Sequence, residues 1–167
     1  MGLHPVEKLV HTVREGGEAP DQNVILLVAT AILRDMKILV VREEDHPYNR
    51  HWVLPQGYVK RNETLVDAAR REVREELGID VAILRLIGVY EDFVKEKGTT
   101  LHYVTICYLG RPPANVRIHA SEEVIDSAWI DPSNEFSDAP AVVQKMLKDA
   151  AELSRKRYSL RSLKFGS

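Results

Sequence analysis

Residues 57–79 read GYVKRNETLVDAARREVREELGI, and this stretch predicts a helix with an unusual acidic side. Thr64 followed by Asp67 resembles a capping box, and Gly78 stands where the glycine after a helix C-terminus belongs. Apolar side chains recur between these caps at helical spacing and predict one buried stripe. The residues of this stripe are Val66, Ala69, Val73 and Leu77.

Three glutamates border that stripe. Glu72, Glu75 and Glu76 stand at i, i+3 and i+4, which gathers their carboxylates on one side of the helix. Like charges four residues apart destabilise a helix by roughly 0.2–0.5 kcal/mol, so the crowding calls for a reason. One interpretation is a surface helix with a solvated acidic edge. The other is a divalent-cation site, because carboxylates are the hard oxygen ligands that Mg²⁺ and Mn²⁺ prefer.

The residues before and after the acids favour the cation site. Gly57 is followed after five residues by Glu63, and after seven more by the run REVREELGI at 71–79. This spacing resembles the Nudix box, the signature of the MutT-like Nudix hydrolases, at every defined position. Seven of those positions demand one residue type each, so a chance match at a given start is roughly one in 10⁸.

The resemblance implies a fold and a reaction. It implies an α/β/α sandwich with a mixed, partly antiparallel sheet, and hydrolysis of a nucleoside diphosphate linked to another moiety. A metal-activated water would attack one phosphorus of the pyrophosphate, with Mg²⁺ or Mn²⁺ as the cofactor. The implied metal ligands are Glu72, Glu75, Glu76 and the backbone carbonyl of Gly57.

Three further residues receive roles by the same resemblance. Arg71 would hold a glutamate in place through a charge-assisted hydrogen bond. Glu63 would support the site or contact the metal or substrate through a water. The general base would be Glu123, one of two acids in the segment SEEVIDSAWI ahead of Trp129; alternatively, both are ordinary loop acids.

Residues upstream of the box are candidates for substrate binding. Trp52 can stack on a nucleobase or pack in the core as the first aromatic residue of a strand. Arg50, with its neighbour Tyr48, lies in a polar loop and can meet phosphate or sugar, or simply face solvent. The sequence leaves these alternatives open.

The rest of the chain predicts strands on either side of the helix. Hydrophobic patterning predicts a helix at 5–15, a hairpin of strands at 24–33 and 37–43, a short broken strand within 51–60, long strands at 81–94 and 100–110, a short strand at 127–130 and a helix at 139–156. This order predicts an α/β fold of the α+β type, with helices covering a sheet. We therefore predict an N-terminal, helical extension over 1–22, a Nudix hydrolase domain over 22–155 and a basic tail over 156–167.

Length and composition indicate the general class of the protein. The 167 residues suit one domain, and 44% hydrophobic content with a net charge of −2 is ordinary for a globular protein. Cys107 is the single cysteine, which predicts a buried thiol, no internal disulfide and a cytoplasmic location. The longest apolar run, at 24–33, is too short to span a bilayer. The expected partner is a nucleotide-derived diphosphate, and family resemblance allows a homodimer.

Markers outside the box do not agree on the substrate. The position about sixteen residues past the box is near Lys95, where the resemblance would place a proline for ADP-ribose and a tyrosine for diadenosine polyphosphates. The segment WVLPQG resembles polyphosphate and RNA-end hydrolases, whereas GVYEDF and HYVTICY resemble nucleotide-sugar and ADP-ribose enzymes. ADP-ribose or a nucleotide sugar is favoured; dinucleoside polyphosphates, RNA 5′ ends and a non-catalytic nucleotide sensor are the alternatives.

Overall fold

The structure is a computed structural model that describes residues 24–44, 48, 50–96, 98–134 and 136–162. Its strands and helices have the following bounds: β1 Val24–Arg34, β2 Lys37–Glu43, β3 Gln56–Tyr58, α1 Leu65–Leu77, β4 Ala82–Glu96, β5 Thr99–Arg111, β6 Val124–Ile130 and α2 Ala141–Ser162. The predicted helix at 5–15 lies outside the described residues.

Strands β1 and β2 form the predicted hairpin through a two-residue turn. Asp35 and Met36 both have positive φ, at 49° and 62°. Positive φ at both central residues matches the right-handed twist of the flanking strands and closes the hairpin tightly. The turn sets the register in which Arg34 faces Lys37.

The sheet is mixed. Its main order is β4-β5-β1-β2-β6, with β3 paired to β1. Strands β1 and β5 are parallel, from Val24 opposite His102 to Ile32 opposite Gly110, and the other named pairs are antiparallel. The parallel pair is the centre of the sheet and carries its longest uninterrupted buried segments.

One side of β1 is shared by two strands, and this divides the sheet locally. Strand β2 pairs with the end of β1 at residues 32–34, while β3 pairs with residues 27–29. The backbone amide of Thr30 donates to the carbonyl of Pro55 at 2.9 Å across the gap between the two strands. As a result, Gly57 and the end of β2 face the same helix.

The two helices cover opposite faces of the sheet. Val28 packs with Ala68 and Ala69 of α1, whereas the next residue, Ala29, belongs to the main core cluster beneath α2. Successive side chains of a strand point to opposite faces, so α1 and α2 lie on opposite sides. The α2 residues in the main cluster are Val143, Met146, Leu147 and Ala150.

The predicted fold class is confirmed, and two element boundaries differ from the prediction. Strand β6 begins at Val124 rather than 127, because it pairs along β2 as far as Glu43. Helix α2 continues to Ser162, beyond the predicted end at 156, since no proline or glycine interrupts it. The predicted burial of the Cys107 thiol is confirmed. No described helix combines the length and apolar character that crossing a bilayer requires.

Candidate active site

Helix α1 is fixed at both ends by its own sequence. The hydroxyl oxygen of Thr64 accepts a hydrogen bond from the backbone amide of Asp67 at 3.1 Å. Gly78 adopts the left-handed conformation, with φ of 65°, and its amide donates to the carbonyl of Arg74 at 3.0 Å. These caps satisfy backbone groups that would otherwise lack partners, so the helix begins and ends where the sequence predicts.

Glu72 lies directly against β3. A methyl group on the α-carbon of Gly57 would overlap the Glu72 carboxylate, which would have to move aside. Burial raises the pKa of Glu72 above its ordinary value and outweighs the opposing effect of the Arg71 guanidinium. Gly57 therefore gives the carboxylate close access to the backbone of β3.

Arg71 ties three glutamates together. Its Nε and Nη2 donate to the two oxygens of Glu63 at 2.7 and 2.9 Å, and its Nη1 donates to Glu72 at 2.5 Å and to Glu75 at 3.0 Å. A further bond from Nη2 to the carbonyl of Tyr58 is 2.9 Å long and anchors the guanidinium to the end of β3. The two hydrogen bonds from the Arg71 guanidinium lower the pKa of Glu63 to about 2.

Glu76 is a buried carboxylate on the core side of α1. It is 5% exposed, and the amide of Gln56 donates to its Oε1 at 3.2 Å. Its Oε2 is buried and makes no hydrogen bond with the described residues. Burial, reinforced by the charges of Glu43 and Glu72, raises the pKa of Glu76 well above its ordinary value.

Glu43, the last residue of β2, is a site residue that the sequence analysis missed. It is 9% exposed, its carboxyl contacts that of Glu76, and burial with the charges of Glu123 and Glu72 raises its pKa to about 7. Its Oε1 is also buried without a hydrogen-bond partner in the described part of the chain. The available signal was an acid at the end of a buried strand, and that signal alone does not indicate which helix the strand faces.

The loop before β6 is docked onto the end of α1. The amide of His119 donates to the carbonyl of Leu77 at 2.9 Å, and the amide of Ser121 donates to the carbonyl of Glu76 at 2.8 Å. These bonds bring Glu123 near the buried acids, where its charge is one cause of the raised pKa of both Glu43 and Glu76. Glu123 itself is exposed.

The two upstream candidates are engaged elsewhere. Arg50 is exposed and forms an ion pair with Glu44, although its backbone amide donates to the carbonyl of Glu43 at 3.1 Å. The Trp52 ring lies 4.4 Å from the guanidinium carbon of Arg42 and 6.1 Å from the ring of Phe136, centroid to centroid. Trp52 therefore makes packing contacts, and the role of both residues in substrate binding stays a prediction.

The acids fit a divalent cation chemically, although they are arranged here around basic groups. Among the described residues, no three acidic, histidine or cysteine side chains form a preformed metal-binding group. Glu72 and Glu75 bond to Arg71, and the Lys60 ammonium lies 3.4 Å from Glu75. The observation that favours a cation is the pair of buried, unpartnered oxygens on Glu43 and Glu76, which are hard donors without a counter-charge.

The fold and the site together define a class of protein in which a capped helix that carries the acidic residues lies on a mixed sheet. The profile of the NUDIX domain family matches residues 25–150. The chain belongs to this family, and the predicted membership of the Nudix hydrolases is confirmed.

Individual relatives agree with that assignment. A MutT-like protein of Streptomyces ambofaciens is 31% identical over 75% of this chain and 74% of its own length. An ADP-ribose pyrophosphatase of Methanocaldococcus jannaschii is 31% identical over 47% of this chain and 45% of its own. The chain spans about half the length of two of the curated relatives that it matches. The crystal structure of a NUDIX hydrolase from Nitrosomonas europaea superposes with a TM-score of 0.67 at 23% identity, over 85% of this chain and 78% of that one.

Proposed function

We propose that this protein is a divalent-metal-dependent pyrophosphohydrolase that cleaves a nucleoside diphosphate linked to another moiety. The observation that carries the proposal is the packing of Glu72 against Gly57 beside the buried, unpartnered carboxylate of Glu76. A bound Mg²⁺ or Mn²⁺ supplies positive charge that neutralises a diphosphate and activates a water. Glu72, Glu75, Glu76 and the carbonyl of Gly57 are the proposed ligands.

Arg71 and Glu63 orient the metal ligands rather than the substrate. The guanidinium holds Glu72 and Glu75 through charge-assisted bonds, and Glu63 fixes the guanidinium from its other side. Such support orients ligands before the cation arrives. Glu75 contacts Lys60 only weakly, at 3.4 Å, and would be available as a ligand of the cation.

The proposed chemistry is a displacement at phosphorus. The water oxygen forms a bond to one phosphorus, the bridging P–O bond breaks, and two phosphate monoesters leave. Glu123 is proposed as the general base that takes the water proton, which is supported by its place in the loop docked on Glu76.

ADP-ribose or a nucleotide sugar is the proposed substrate. Support comes from the likeness to the ADP-ribose pyrophosphatase described above, and the contribution of Arg50 and Trp52 to binding belongs to the same proposal. Cytoplasmic location, a possible homodimer and the absence of membrane or nucleic-acid partners, RNA 5′ ends apart, also stay proposals.

A turnover panel with Mg²⁺ and Mn²⁺ tests the activity. It contains ADP-ribose, nucleotide sugars, diadenosine polyphosphates, nucleoside triphosphates and triphosphorylated RNA, with turnover in ¹⁸O-labelled water to show which phosphorus is attacked. We expect metal-dependent hydrolysis of ADP-ribose or a nucleotide sugar, and a loss of about 100-fold or more in Glu76→Gln, which removes a charge beside the reacting phosphate.

Glu152→Gln is the matched control, because Glu152 is an exposed acid on α2, away from the buried carboxylates. It should keep full activity. Preferential turnover of a dinucleoside polyphosphate or of RNA would move the substrate to one of those alternatives. Tight nucleotide binding without turnover would identify a sensor, and full activity in Glu76→Gln would remove the assigned site.

A further inference from the structure

Glu43 and Glu76 form a buried pair of acids without a basic partner. They come from the end of β2 and from α1, and are 9% and 5% exposed. Each has one carboxyl oxygen that is shielded from solvent and unpartnered among the described residues. Burying a carboxylate without a counter-charge is unfavourable, so a compensating cation is expected.

The nearby basic side chains are committed to other acids. Arg71 bonds to Glu63, Glu72 and Glu75, and the Lys60 ammonium lies beside Glu75. Arg42, the immediate neighbour of Glu43, forms an ion pair with Asp138 and lies over the Trp52 ring. Within the described ranges, no ion pair reaches the carboxylate of Glu43 or Glu76.

A β-bulge on β6 lies opposite Glu43. Along β2 and β6, Arg42 faces Asp126 but Glu43 faces Val124, so Ile125 is the extra residue on β6. Bulges bend a strand and re-aim its side chains, and they are frequent next to active sites. The bulge sets the register in which Glu43 faces Val124, the residue that directly follows Glu123.

We propose that Glu43 is a further cation ligand, which binds the cation of the proposed metal site together with Glu76. The inference rests on the proposed function, because it adds a ligand to the same site. The carboxylates of Glu43 and Glu76 come from separate elements, and each is buried with one unpartnered oxygen, the kind of hard donor that Mg²⁺ and Mn²⁺ take. A cation held there would offset the charge of this buried pair.

Binding of Mn²⁺ alone to the full chain tests the inference, with bound metal counted by electron paramagnetic resonance and affinity measured by calorimetry. Wild type should bind Mn²⁺ at least tenfold more tightly than Glu43→Gln. Glutamine keeps the shape of glutamate, so packing is preserved. Glu44→Gln is the control, because Glu44 is the adjacent acid and is exposed; it should bind like wild type.

Thermal melting in EDTA separates a ligand from a structural residue. Glu43→Gln should melt at the same or a higher temperature than wild type, since it removes a buried charge, and should gain less than wild type on adding Mn²⁺. Equal Mn²⁺ stoichiometry and affinity in the two proteins would overturn the inference, as would wild type that binds no Mn²⁺. Intact metal binding with no turnover of any compound would instead contradict the proposed function and leave the ligand assignment supported.

Discussion

At the residue scale, the main electrostatic feature of the site is a pair of buried carboxyl groups, those of Glu43 and Glu76. Burial raises the pKa of each, and the charge of Glu43 adds to the rise at Glu76, whereas a hydrogen bond with Glu76 opposes the rise at Glu43. Glu63, on the outer side of the site, has the opposite shift, because the Arg71 fork lowers its pKa to about 2. The site therefore combines an acid that is stabilised as an anion with acids whose burial favours the protonated form.

The stability of the metal-free protein should fall as pH rises from about 4.5 to 7. The pKa of Glu43 is about 7 in the fold against an ordinary value of 4.5, so in this window the folded state holds a proton that the unfolded state has released. Glu76 acts in the same direction. Denaturant unfolding in EDTA across pH 4.5–7.5 measures the effect.

Glu43→Gln is the informative variant in that series. Its stability advantage over wild type should grow with pH through the window, whereas Glu44→Gln should run parallel to wild type. A constant difference between Glu43→Gln and wild type would show that Glu43 does not titrate there. Below about pH 4.5, Glu63 should instead determine how stability depends on pH, because its stabilising ion pair with Arg71 is lost as pH falls towards 2.

Gly57→Ala should separate activity from stability. The new methyl group would displace the Glu72 carboxylate, which can swing away at small cost because it is the far end of a flexible side chain. We expect at least a tenfold loss of kcat, as expected when a catalytic group is misplaced by about 1 Å, with a loss of stability of about 1 kcal/mol or less.

Gly98→Ala gives the reverse control. Nothing lies within 4 Å of the position of a methyl group there, but φ is 82°. The variant should lose about 1 kcal/mol or more of stability, because alanine avoids positive φ, while turnover per folded molecule stays unchanged. Wild-type turnover in Gly57→Ala would contradict the packing of Glu72 against β3.

At the element scale, α1 positions the ligands because its two caps fix where the helix begins and ends. One turn of shift would move Glu72 away from Gly57 and Glu76 away from Gln56. Both caps are local: Thr64 bonds three residues along, and Gly78 bonds back to Arg74. The loop before β6 then docks on the last turn through the carbonyls of Glu76 and Leu77.

Thr64→Ala should destabilise the protein by about 1 kcal/mol, the usual cost of losing an N-cap side chain. For a chain of 167 residues this corresponds to a fall in Tm of roughly 2–4 °C, measured by calorimetry. Thr100→Ala, at an exposed threonine of β5, is the control and should change Tm by much less. Equal shifts for the two variants would mean that the cap contributes little.

At the scale of the whole molecule, the sheet decides which distant residues meet. The gap between β2 and β3 along β1 lets α1 contact both strands, so Gly57 and Glu43 reach the same helix face. Binding of a cation there joins β2, β3, α1 and the loop before β6. Its effect should therefore extend to the stability of the whole fold.

Removal of divalent metal should lower Tm cooperatively. At one hundred times its dissociation constant, Mg²⁺ contributes about 2.7 kcal/mol, which corresponds to roughly 5–10 °C for a domain of this size. Scanning calorimetry with Mg²⁺ and with EDTA measures the difference. Glu76→Gln should show a much smaller shift, and a shift equal to that of wild type would place the stabilising cation elsewhere.

The sequence by itself determined the features whose residues lie close together along the chain. The caps of α1, its apolar stripe and the gathering of Glu72, Glu75 and Glu76 follow from helical periodicity, which depends only on local spacing. The hairpin of β1 and β2 and the fold class follow for the same reason. The spacing of Gly57, Glu63 and the run at 71–79 carried the family resemblance, which the comparisons confirmed.

The tertiary structure alone decided which distant groups meet. Glu43 reaches Glu76 because the sheet brings the end of β2 beside α1, and no local pattern encodes a contact between elements so far apart in the chain. Burial then sets the pKa of both carboxyls, since that depends on the solvent that packing removes. Packing between distant parts of the chain likewise brings Trp52 into contact with Arg42 and Phe136.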